Sequence, residues 1–126
     1  MKSLFIFILC LLLLSSLGCA LKDNSFEEYS AFAIKSARMG LWNEAIMRWK
    51  RMADLHPENA RVHNNLAVAY EAKGEMEQAK IEYEKTVKLD PKNRVYLRNY
   101  NKFKQNYEKS QKKKDNLQGE EPKQDG

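Results

Sequence analysis

The chain predicts an all-α fold, a short stack of two helical hairpins closed by one further helix. Three observations carry this expectation. The sequence matches itself at a shift of 34 residues. Apolar residues recur at three- and four-residue steps, the spacing of a helix with one buried face. Glycine and proline punctuate the pattern at repeating places, Gly40 and Gly74, then Pro57 and Pro91.

The first element lies outside that stack. Met1-Lys2-Ser3 carries one positive charge, Leu4 to Leu14 is an unbroken apolar run, and Ser15-Ser16-Leu17-Gly18 leads into Cys19. This is the layout of a secretory signal peptide over residues 1–18. The run is shorter than the roughly 20 apolar residues that span a bilayer. Gly18-Cys19 resembles the lipobox of bacterial lipoproteins, although Ser16 stands where that motif prefers an aliphatic. The resemblance implies a lipid (palmitate or similar) on Cys19, with residues 19–24 as a lipidated terminus and linker. Two or three acyl chains hold a protein firmly at a membrane. Ala20 follows the cysteine, where the resemblance would ask for Asp in inner-membrane retention, so an exported, outer-membrane location is expected. Plain secretion and an uncleaved anchor stay open.

Cys10 and Cys19 are the two cysteines. Neither remains as a free thiol after processing and acylation, so packing alone must stabilise the domain. With two histidines far from any ligand spacing, no metal and no cofactor are expected. The scan finds no HExxH, GxSxG or phosphate-binding loop, so the chain does not read as an enzyme. His56 reads as a helix-end residue and His63 as packing.

The folded part should span residues 25–108. Ser25-Phe26-Glu27-Glu28 reads as a capping box, with Ser25 as the N-cap. The first helix should end at Gly40 in a left-handed turn. Trp42, Ala45, Ile46, Trp49, Met52 and Ala53 mark an amphipathic second helix that stops before Pro57. Arg61 to Lys73, Gly74, and then Glu75 to Leu89 copy the arrangement. In the 34-residue register Ala33 meets Ala67, Gly40 meets Gly74, Ala45 meets Ala79 and Trp49 meets Tyr83. Leu55, Pro57 and Asn59 meet Leu89, Pro91 and Asn93. Small residues at Ala33, Ala45, Ala67 and Ala79 suit helix crossings. A last helix, about residues 94–108, should pack through Val95, Leu97, Tyr100, Phe103 and Tyr107 and cap the stack. Residues 109–126 have too few apolar groups to offset their ordering entropy and should be a disordered charged tail.

This pattern resembles the tetratricopeptide repeat. The second copy reads His63-x2-Leu66-Ala67-x2-Tyr70, Ala79-x3-Tyr83 and Pro91. The first reads Tyr29-x2-Phe32-Ala33-x2-Ser36, Ala45-x3-Trp49 and Pro57. It departs from the family at Ser36. The resemblance places repeat 1 at about 26–59 and repeat 2 at about 60–93, and implies a short right-handed α-solenoid. It also implies a ligand groove lined by the first helix of each hairpin, near Ser30, Ile34, Arg38, Asn64, Asn65, Val68, Glu71, Arg98 and Lys102. Asn65 could instead bond within its own repeat. Ser30 and Ile34 stand where members that bind chaperone tails carry Lys and Asn, so that ligand is not expected. Glu82–Lys85 and Glu84–Lys88 read as outer-face ion pairs.

A protein or peptide partner in the cell envelope is therefore expected, with the chain acting as an adaptor or assembly scaffold. A fixed subunit of a larger envelope complex is the rival. Two repeats are fewer than a solenoid usually needs, so a second copy or another protein is expected to complete the stack. The net charge is +5. It concentrates at Lys109, Lys112, Lys113 and Lys114, which read as a solvated segment or as one touching anionic headgroups. No nucleic-acid partner is expected of an exported chain.

Overall fold

The computed structural model describes residues 25–118, and every element among them is helical. The apolar run, Cys19, the linker and residues 119–126 lie outside the described residues. Helix α1 occupies residues 25–38. It is followed by α2 (Trp42–Leu55), α3 (Ala60–Lys73), α4 (Met76–Leu89) and α5 (Arg94–Gln118). No helix among the described residues is long and apolar enough to cross a membrane.

Both hairpins turn in the same way. Gly40 and Gly74 have φ of 73° and 83°, in the left-handed region that a side chain resists. In each, the amide beyond the glycine reaches back across the turn, Leu41 to the Ser36 carbonyl and Glu75 to the Tyr70 carbonyl, both at 2.9 Å. This satisfies carbonyls that the helix end leaves open. The loops between hairpins also match. Asn59 Oδ1 accepts from the amides of Arg61 and Val62 at 3.1 and 3.3 Å. Asn93 Oδ1 accepts from Val95 and Tyr96 at 3.1 and 3.4 Å. Each asparagine thus satisfies two open amides of the following helix.

The core is continuous along the stack. Ala33, Ala45, Ala67, Ala69 and Ala79 are fully buried, which lets the helix backbones approach closely. Ile46, Trp49, Met52, Val62, Leu66, Tyr70, Tyr83 and Phe103 fill the remaining volume. Helix α5 closes the end of the stack. Phe103 lies 5.1 Å from Tyr83 and 5.7 Å from Tyr107 between ring centroids. Val95, expected on the packed face, is instead about half exposed.

Helices α3 and α4 start at Ala60 and Met76, each one residue from expectation, and two boundaries at the ends of the stack differ more. Ser25 is itself helical rather than the residue flanking the helix. Helix α5 runs past residue 108 to Gln118, so the first ten residues of the expected disordered tail continue the cap. Lys and Gln are good helix formers, and Lys104 and Glu108 approach to 3.9 Å one turn apart. The segment gains helix from propensity and continuity, not from apolar burial.

Candidate protein-binding face

The first helices of the hairpins, α1 and α3, and the cap helix α5 carry the residues expected in a groove. Direct bonds tie them together on that side. Glu27 of α1 and Arg61 of α3 form an ion pair at 2.6 Å, and the Arg61 guanidinium also lies 5.2 Å from the Phe26 ring centroid. Asn99 of α5 donates to Asn64 Oδ1 of α3 at 3.0 Å. The three helices are therefore fastened by polar bridges as well as by the core.

The nine expected groove residues separate into two groups. Ile34 and Val68 are each 38% exposed and occupy equivalent places 34 residues apart. Arg38, Arg98 and Lys102 are exposed, and none forms an ion pair with another described residue. Asn65 is half-buried, and its side chain makes no hydrogen bond to a described residue. The other three are committed to packing or to bonds within the fold. Ser30 and Asn64 are buried, at 4% and 8% exposure, and Asn64 is turned toward α5, where Asn99 bonds to it. Glu71 accepts a 2.7 Å hydrogen bond from the Tyr83 hydroxyl. The asparagine that bonds between helices is Asn64, not Asn65. Glu27, Arg61 and Asn99, which the sequence reading did not place here, complete the surface. Their separations of 34 and 35 residues were the available signal.

A second polar centre lies between α3, α4 and the loop carrying Pro57. His63 is 1% exposed. Its Nε2 donates to the Pro57 carbonyl at 2.9 Å, and its Nδ1 lies 2.6 Å from Glu82 Oε2. The ring joins the loop to the following helix, so His63 bonds as well as packs. Glu82 is accordingly half-buried on this side, not a free outer-face residue paired with Lys85. Glu84 pairs with Lys80 at 4.0 Å rather than with Lys88. Lys50, Asp54 and Lys85 line the same cleft.

Three tyrosines on this framework resist ionisation. Burial, then the bond to Glu71, pushes the Tyr83 phenol well above its ordinary value. Burial, then the charges of Glu82 and Glu75, raises Tyr70. The hydrogen bond to Glu77, at 2.5 Å, is the main cause raising Tyr107. These phenols stay protonated as hydrogen-bond donors or neutral packing groups and do not act as bases.

Residues 60–93 match the family model described as tetratricopeptide repeat. No curated protein matches the chain. Among solved structures, the chain is similar to the first TPR of Spaghetti (RPAP3) bound to the HSP90 peptide SRMEEVD. The identity is 20% and the TM-score 0.34, over 65% of this chain and 92% of that one. Residues 60–93 thus carry a tetratricopeptide repeat within the all-α stack of the described residues, a build that supports a role in protein–protein interaction.

Proposed function

We propose that the protein is a membrane-tethered adaptor of the bacterial cell envelope, anchored by lipid on Cys19. Its α1/α3/α5 face would hold a peptide segment of a partner protein. The observation that carries the choice of ligand is the charge left unpaired on that face. Glu27 is engaged by Arg61, and Glu71 by Tyr83. Arg38, Arg98 and Lys102 remain exposed beside the apolar pair Ile34 and Val68. A segment bearing both acidic and apolar side chains complements this surface, and one rich in basic residues is repelled.

The anchor and the face are tested separately. Metabolic labelling with a fatty acid should mark the wild type and leave Cys19→Ser unlabelled, and equal labelling would refute lipidation. For the face, partner capture by crosslinking in native membranes should fall at least about tenfold in Val68→Asp combined with Arg98→Glu. Both positions are exposed, so helicity by circular dichroism should be unchanged. If this variant captures the partner as well as wild type does, the face is not the recognition element.

A further inference from the structure

The two repeats also differ on the side of the first helix that, in α3, faces repeat 1. On α3 that side carries Val62, Leu66, Ala69 and Tyr70, all buried, because repeat 1 is stacked on it. On α1 the residues 34 positions earlier are Glu28, Phe32, Lys35 and Ser36. Glu28 and Lys35 are exposed, and Phe32 is 52% exposed where its counterpart Leu66 is 2% exposed. Arg48, held by Glu44 at 2.6 Å, lies 5.6 Å from the Phe32 centroid and leaves the ring still half open.

We infer that this stripe of α1 is a self-association seam, which joins two copies of the chain antiparallel about a two-fold axis beside Phe32. Glu28, Phe32 and Lys35 follow one another at steps of four and three, the spacing of a helix–helix seam, and Met39 lies just past the helix end on the next step of four. Met39 is 63% exposed. Another repeat stacked here, as repeat 1 stacks on repeat 2, would bury two charges where α3 offers Val62 and Ala69. Such burial is costly without partners. The occupant must therefore bring an opposite charge to each. Glu28 and Lys35 lie on either side of Phe32, and neither forms an ion pair with another described residue. Reversing one α1 against another places Glu28 of each copy opposite Lys35 of the other and brings the two Phe32 rings together. The stripe is its own complement, as an isologous interface requires.

Sedimentation equilibrium of the full chain in mild detergent tests the seam. Wild type should be a concentration-dependent dimer. Glu28→Lys alone and Lys35→Glu alone should each weaken the dimer by about tenfold or more, and the combined Glu28→Lys, Lys35→Glu chain should recover it. Association through the N-terminal apolar run would not respond to residues 28 and 35. Phe32→Ser should also weaken the dimer while helicity is retained. A monomeric wild type, single reversals that dimerise like wild type, or a double reversal that stays monomeric with intact helicity would each overturn the inference.

Discussion

Repeats 1 and 2 share their turns and caps, yet they hold their helices together by different chemistry. At the position where repeat 2 has His63, repeat 1 has Tyr29. Where repeat 2 has Glu82, repeat 1 has Arg48. The pair in repeat 2 is a hydrogen-bonded bridge that also reaches the preceding loop. The pair in repeat 1 is a guanidinium resting 5.4 Å from a ring centroid. The difference recurs one turn away. Tyr83 bonds to Glu71, whereas its counterpart Trp49 has a buried Nε1 with no hydrogen-bond partner among the described residues, and Ala37 stands where repeat 2 has Glu71. An interior repeat has neighbours on both sides and can satisfy buried polar groups with directional bonds. Repeat 1, with a neighbouring repeat on one side among the described residues, relies on ring and guanidinium contacts and leaves more of its surface open.

The largest effect should come from the position that separates the two repeats most. His63→Phe keeps a ring of similar size but leaves the Pro57 carbonyl and Glu82 without their buried partner. It should cost about 1–3 kcal/mol, a drop of several degrees in melting midpoint for a domain of this size. Tyr29→Phe removes a hydroxyl from a half-buried ring and should change stability by less than about 0.5 kcal/mol. Equal effects in thermal unfolding would erase the proposed contrast.

Much of the helical framework was legible because its signals are local. The Gly40 and Gly74 turns, the stops before Pro57 and Pro91, and the small residues at Ala33, Ala45, Ala67 and Ala79 each follow from a residue and its near neighbours. The surface was less legible because exposure depends on what lies opposite. Ser30 and Ile34 occupy the same helix, yet one is buried and the other open. Asn64 and Asn65 are adjacent, and only Asn64 meets α5. Glu82 read as solvated because nothing in its own helix announces a histidine 19 residues earlier. The end of α5 was missed for another reason. A charged segment that cannot form a core can still prolong a helix already begun.

The turns should break alike, as the shared part of the comparison. Gly40→Ala and Gly74→Ala each force a side chain into the left-handed region. A Cβ at either site meets no atom within 4 Å, so the cost is backbone strain alone, about 1–2 kcal/mol. The two variants should unfold at denaturant midpoints displaced by similar amounts. A much larger loss at one of them would show that the turns are not equivalent.

The smallest expected effect is also the most specific to repeat 2. Tyr83→Phe removes the bond to Glu71 and should cost about 0.5–1.5 kcal/mol near neutral pH. The phenol also gives the wild type an alkaline sensitivity. Its folded-state value is raised above the ordinary value of about 10. The folded state therefore holds the proton more tightly than the unfolded chain does. The stability linked to that proton is fully present below about pH 10 and is lost as pH rises through the folded value. Trp49, its counterpart in repeat 1, has no such proton. A series of thermal melts from neutral to strongly alkaline pH should show Tyr83→Phe starting below the wild type and declining less steeply above about pH 10. The remaining slope comes from Tyr70 and Tyr107, whose phenols are raised in the same direction. Parallel declines in the two proteins would mean that the Tyr83–Glu71 bond does not distinguish the repeats in solution.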